Sequence, residues 1–242
     1  MSRVAVSGRA VPRTLKGSAI IANSNNTFSC GDPSDLMGGT YTTAVWIRTT
    51  SRAAFSTVCG KRHTGIGIFV NTVSGTNGDL VSYDWAVTGL EDSGKFVADG
   101  FWHRAVQVWQ NGVAGGTYTY VDGIRTKNAF TLTKTMDDQN FVIGVLPTDG
   151  FLFTNGGIAD ICISNFVWSD AQVLADYLKG VHPTLIHRWK LDDGSGNTAK
   201  DSVGTADGTA IAGNWSTTIV PKPFVRTANT SSRVAASGRV TP

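Results

Sequence analysis

The chain has 242 residues, 28 of them Gly, with 41% hydrophobic and 16% charged side chains and a net charge of +3. That length and apolar content can bury a real core in one large domain, and no apolar run approaches the roughly 18 residues of a membrane-spanning helix. Of the 18 acids all but Glu91 are Asp, which excludes a paired-glutamate hydrolytic mechanism and argues against long solvent-facing helices.

Residues 1–17 carry Arg3, Arg9, Arg13 and Lys16 and no acid, a net +4. They contain no apolar core of a secretory leader, so export by a signal peptide is not expected. Residues 222–242, with Lys222, Arg226, Arg233 and Arg239, are also +4, which leaves residues 18–221 at −5. Ser2–Arg9 matches Ser232–Arg239 at seven of eight positions. Two self-similar basic arms therefore flank a mildly acidic body. Neither arm interleaves aromatics with its arginines, so nucleic-acid specificity is not expected.

The body reads as β-strands: Tyr41 to Arg48, Phe55 to Cys59, Ile66 to Val73, Asp79 to Val87, Trp102 to Trp109, Thr117 to Asp122, Phe141 to Val145 and Ile158 to Phe166. Turn residues such as Gly38-Gly39, Asn111-Gly112 and Asp122-Gly123 punctuate them. Strands returning through short turns predict an antiparallel two-sheet sandwich or jelly roll. Gly89-Leu90-Glu91-Asp92-Ser93-Gly94-Lys95 matches most of a phosphate loop, but Phe96 stands where the magnesium-binding hydroxyl belongs, so a hairpin turn is expected there. Ser169 with Gln172 forms a capping box that opens one helix, Asp170 to Leu178, closed by Gly180. Its apolar stripe, Val173, Leu174, Tyr177 and Leu178, predicts a helix plugging one end of the sandwich.

The stretch Asp99-Gly100-Phe101-Trp102-His103-Arg104-Ala105-Val106-Gln107-Val108, followed by Tyr118-Thr119-Tyr120-Val121-Asp122-Gly123, resembles the central hairpin of laminin-G-like, concanavalin A-like jelly rolls. Thr42–Thr49, Gly157–Ile163 and Trp168–Ala171 resemble the earlier tryptophan-bearing strand, the closing strand and the short helix of that family. Trp189–Gly196 with Asp201-Ser202 is similar to a motif that usually opens such domains. Here it follows the helix, so either the order is rotated or residues 186–216 add outer strands. The resemblance covers about residues 17–216 and implies an all-β antiparallel jelly roll with one short helix; the expected domain spans 18–221, between the extended arms at 1–17 and 222–242. It leaves the ligand open, since the fold hosts lectins, enzymes and structural modules.

Candidate site residues follow. Trp46 and Trp102 are expected in the core, His103 as a satisfied strand histidine and Asp122 as a turn former. Asp84, Trp85, Trp109 and Asn111 are the aromatic and amide groups that a glycan surface would use. Asp192, Asp193 and Asp201 offer hard oxygens for calcium; no other cofactor is expected. His182 and His187, separated by Pro183, have poor zinc spacing, and Cys30, Cys59 and Cys162 are expected as buried free thiols. No nucleophile elbow is present, and the protein is expected not to be an enzyme.

Two functions are weighed. The first is a structural protein whose plan resembles phage head decoration and other virion proteins, located on a capsid surface. Arg3, Val4, Arg9, Arg13, Arg226, Arg233, Val234 and Arg239 would attach it to a major capsid protein lattice and to copies of itself. The second is a carbohydrate-binding lectin module with a surface glycan as partner. No membrane partner is expected in either.

Overall fold

The computed structural model describes residues 19–22, 27–36, 39–61, 67–71, 77–83, 90–131, 140–146, 151–212 and 215–216. Both arms, with all eight of their proposed contact residues, lie outside this set, as do Asp84 and Trp85.

The strands in chain order are β1 (Ala19–Ala22), β2 (Thr27–Ser29), β3 (Thr40–Thr49), β4 (Ser56–Lys61), β5 (Gly67–Val70), β6 (Asp79–Tyr83), β7 (Leu90–Phe96), β8 (His103–Gln110), β9 (Thr117–Val121) and β10 (Ile124–Phe130). They continue with β11 (Phe141–Ile143), β12 (Val145–Leu146), β13 (Phe151–Leu152) and β14 (Gly156–Ser164). After helix α1 (Asp170–Lys179) come β15 (His187–Trp189), β16 (Thr198–Ala199), β17 (Gly208–Ala212) and β18 (Trp215–Ser216).

Among the described residues the first sheet has the order β10-β9-β8-β3-β14-β1-β18, with β15 also paired to β14. The second sheet runs β16-β17-β2-β11-β4-β5-β6-β7, and β12 and β13 form a small ribbon. Every pairing is antiparallel, which is the jelly-roll architecture expected from the strand spacing. Alternation along β3 and β8 sends Tyr41, Val45, Ile47, Ala105 and Trp109 into the space between the sheets. There they meet Ile68, Val70, Leu80, Phe141 and Ile143 of the second sheet. At Gly156 the chains come so close that a Cβ would stand 1.8 Å from the Arg48 carbonyl oxygen, so only glycine fits β14 against β3 there.

Two expectations need correction, and one open alternative is decided. Residues 90–96 are not a turn but the edge strand β7; Gly94 takes φ 62° in its middle, where the Asp92 carboxylate accepts the Gly94 N–H, so the glycine marks a bulge. Residues 186–216 are outer strands: β15 lies beside β14 in the first sheet, and β16 and β17 extend the second beyond β2. The helix does not plug an end. Its capping box and left-handed Gly180 are as expected, but Val173 packs on Ala44, Val106, Val108, Tyr118, Tyr120, Cys162 and Trp168, the outer face of the first sheet. The reason is a buried charge, Asp176, which faces Arg104 of β8, while Leu174 from the predicted apolar stripe is 44% exposed.

Candidate functional site

The site is built where β8 begins. Asp99 opens an Asx turn by accepting the Phe101 N–H at 2.8 Å, and Gly100, at φ 83°, donates its N–H to the Thr49 carbonyl at the end of β3. This pins the 99–102 loop and leaves Phe101 56% exposed. Trp102 is half-buried, resting on Trp46 and Ala159 beside Tyr177 of the helix. The Arg48 guanidinium lies 5.9 Å from the Trp102 ring centroid, and the Trp46 and Tyr177 rings are 6.0 Å apart.

The polar side of the site is His103. Its Nδ1 is 2.8 Å from Asp122 and its Nε2 is 3.1 Å from Asp99. Asp122 and Gly123 both have positive φ, as a two-residue type I′ hairpin requires, and the second Asp122 oxygen accepts the Arg104 N–H. Burial lowers the His103 pKa, but the bond to Asp122 and the charges of Asp122 and Asp99 outweigh it, and the net shift is upward. His103 thus clamps the loop to the β9–β10 hairpin, and the two carboxylates favour its charged form. The loop thus presents exposed Phe101 and half-buried Trp102 near the Asp99 carboxylate and the Arg48 guanidinium, the kinds of group that a hydroxyl-rich ligand takes.

A second polar place is a cavity of about 410 Å³ bordered by Asp32, Ser34, Asp35, His187 and Thr205. His187 bridges Asp201 at 2.6 Å and Asp35 at 2.8 Å, and its ring stacks on Trp189. The cavity is rich in acceptors but offers no aromatic face to a ligand, because Trp189 is fully buried beneath the histidine.

The residues singled out from sequence fare unevenly. Trp109 is 1% exposed and packs in the core 6.4 Å from Tyr41, so it is no glycan platform: it lies on the inward side of β8. Asn111 is half-buried in the turn after β8, at the opposite end of that strand from His103. Trp46 is buried, His103 is paired and Asp122 forms its turn, as expected, whereas Trp102, expected in the core, is only half-buried, because it lies just before β8 against Trp46, Ala159 and Tyr177 of the helix. What sequence reasoning missed is that Phe101, Trp102, His103 and Asp99 together form a rim; the exposed aromatic after Asp99-Gly100 was the available signal.

Calcium at Asp192, Asp193 and Asp201 is not supported. Asp201 is buried, and its oxygens already accept the N–H groups of Arg188, Val203, Gly204 and Ala206 besides bonding His187. Burial would raise its pKa, but these bonds hold it far below the usual carboxylate range. Asp192 and Asp193 are exposed, and the three do not converge on one point. Among the described residues the group that does converge is Asp160, Cys162 and His182. All three cysteines are free and buried. Asp79 and Asp92 are close enough to hydrogen-bond; burial and the Asp92 charge raise the Asp79 pKa.

Residues 22–174 match Laminin_G_3, described as the concanavalin A-like lectin/glucanases superfamily. Among solved structures, the chain is similar to one described as a putative carbohydrate binding protein from Bacteroides ovatus (TM-score 0.68, 16% identity), covering 88% of this chain and 63% of that one. It is also similar to a Trypanosoma rangeli sialidase in complex with 2,3-difluorosialic acid (TM-score 0.51, 11% identity), covering 69% of this chain and 28% of that one. No curated protein matches the sequence. At these identities the structural likeness shows the fold, and the chain spans under two thirds of either structure's length. Fold and family match agree: the chain belongs to the concanavalin A-like lectin/glucanases superfamily.

Proposed function

We propose that this domain is a non-enzymatic carbohydrate-binding module whose glycan site is the Phe101–Trp102 rim. The observation that carries this reading is exposed Phe101 next in the chain to half-buried Trp102, in a loop pinned by the Asp99–His103–Asp122 clamp. An aromatic surface takes the C–H face of a sugar ring, and the free Asp99 edge and Arg48 take its hydroxyls. The carbohydrate-binding description of the Bacteroides ovatus protein, which shares the fold, supports this choice of ligand. Titration calorimetry against a panel of oligosaccharides tests it. Phe101→Ala and Trp102→Ala are each expected to weaken binding on the order of tenfold while the melting temperature of Phe101→Ala stays unchanged. Glycan binding indifferent to both substitutions would place the site elsewhere.

The arms favour a second, compatible reading, in which the domain is a virion surface protein fastened to a capsid lattice. Its support is the seven-of-eight match between Ser2–Arg9 and Ser232–Arg239 and the +4 charge of each arm. One structural fact adds to it: Ala19 pairs with Ser216, so the chain enters and leaves the described body at adjacent points on one sheet edge. Two attachments sharing one origin act through effective concentration, so losing either arm should cost far more than half the occupancy on assembled particles. Retention unchanged by either deletion would sink this reading.

A further inference from the structure

We propose that Asp160, Cys162 and His182 form a binding site for a borderline-soft divalent metal ion of the Zn²⁺ type, tying the segment after helix α1 to strand β14. A bulge makes the site possible. The pairing of β14 with β3 shifts register between Ala159 and Cys162, and Asp160 takes φ 48°. Ile158 and Ile161 both face the inter-sheet core although they are three residues apart. The extra residue turns Cys162 to the outer face, beneath the helix, where it packs with Val173 and Trp168. Gly180 then ends the helix in the left-handed conformation, and His182 follows two residues later, against the bulge.

The separations are those of a metal site slightly open. Cys162 Sγ is 3.7 Å from Asp160 Oδ1 and 3.9 Å from His182 Nδ1, the atoms that other groups hold, and His182 Nε2 is 3.8 Å from Asp160 Oδ2, the pair left for a metal. One ligand atom from each residue lies within 4.8 Å of the other two. Ligands at ordinary zinc bond lengths on a tetrahedron stand about 3.3 to 3.6 Å apart, so closure from within 4.8 Å needs shifts of up to about an ångström. The groups behind the ligands are also in place. Asp176 holds His182 Nδ1 at 2.5 Å, leaving Nε2 directed at Asp160, and Arg188 Nε holds Asp160 Oδ1 at 2.7 Å, leaving Oδ2. Ligands whose far atoms are fixed in this way are the usual outer-shell arrangement. The His182 and Asp160 side chains remain 11% and 20% exposed, which leaves a fourth position for water.

Charge is accommodated. Asp160 and Asp176 are balanced by Arg104 and Arg188. When the divalent ion binds, the Cys162 thiol loses its proton to solvent, the S–H bond being replaced by a metal–sulfur bond, and the cluster gains one net positive charge at a partly open surface. A thiol–imidazole–carboxylate set selects zinc-like ions over magnesium and calcium, which take oxygen alone.

Titration of the full chain with Co²⁺ alone, then Zn²⁺ alone, decides the matter. The expected result is one Co²⁺ per chain with a thiolate-to-cobalt charge-transfer band, displaced by Zn²⁺, and a raised melting temperature. Cys162→Ser should remove that band, with Cys30 and Cys59 still present. Arg188→Gln, which leaves the ligands intact, should weaken Zn²⁺ binding about 10- to 100-fold. No charge-transfer band in the unsubstituted protein, or a band that survives Cys162→Ser, would overturn the proposal. Because no readout depends on glycans, its failure and that of the rim reading are separable.

Discussion

The two faces of the first sheet bury polar atoms in opposite ways. On the inner face Thr43, Thr117 and Trp109 leave a hydroxyl or an indole N–H buried without a partner among the described residues, as does Ser82 across the core. On the outer face even full charges are matched. Arg104, with no exposure, spends Nε and Nη2 on both oxygens of Asp176, at 2.7 and 3.0 Å, and Nη1 on the Asp160 carbonyl. Burial alone would raise the Asp176 pKa, but Arg104 and then His182 bring it down to about 2. A neutral hydroxyl left unpaired costs about 1–3 kcal/mol, which a large apolar core can absorb; an unpaired buried charge costs several times that, so a sheet face can carry one only fully paired. Helix α1 therefore lies where the charge is, and the inner face tolerates its orphans because they are neutral.

The largest expected effect breaks the outer pair. Asp176→Ala leaves Arg104 charged and dry, and urea unfolding should show a loss of about 3–5 kcal/mol. Replacing both partners, Arg104→Met with Asp176→Leu, removes the uncompensated charge and should recover most of that loss. A double variant as unstable as the single one would mean that the helix needs the ion pair itself and not merely the absence of a lone charge.

A smaller effect separates the dry outer pair from the wetter clamp at the rim. His103 has a raised pKa in the folded protein, so its stabilisation is fully present below the unfolded value of about 6.5 and is lost as pH rises through the folded value. Against His103→Gln, the unsubstituted protein should be the more stable below pH 6.5 by up to about 1 kcal/mol, with the advantage declining on the alkaline side. A stability difference that is flat with pH would show that Asp99 and Asp122 do not hold the imidazolium. Such a result would also leave the glycan rim without its clamp.

The smallest effect tests the inner face. Thr43→Val exchanges an unpaired hydroxyl for a methyl group, so stability should be unchanged or rise by about 1 kcal/mol or less. A clear loss would mean that the Thr43 hydroxyl is hydrogen-bonded after all, and the contrast between the faces would weaken.

The sequence by itself determined whatever depends on neighbours a few residues apart. Alternation marked β3, β8 and β9, Asp122-Gly123 marked its hairpin, and Ser169 with Gln172 set the start of α1 at the residue where it begins. The motifs around Trp102 and Trp168 carry the family resemblance within single short stretches of chain. The tertiary structure alone decided what depends on pairs far apart. Arg104 and Asp176 are 72 positions from each other, so nothing local announced that the helix would lie across the sheet. Trp109 was expected on a glycan surface, yet the stacking of the second sheet made its side of β8 the buried one. The bulge at Asp160 is one extra residue in a long apolar strand, visible only once β3 is beside it. Backbone preference is settled by near neighbours, whereas burial and charge pairing are settled by which surfaces meet, and that information is spread along the whole chain.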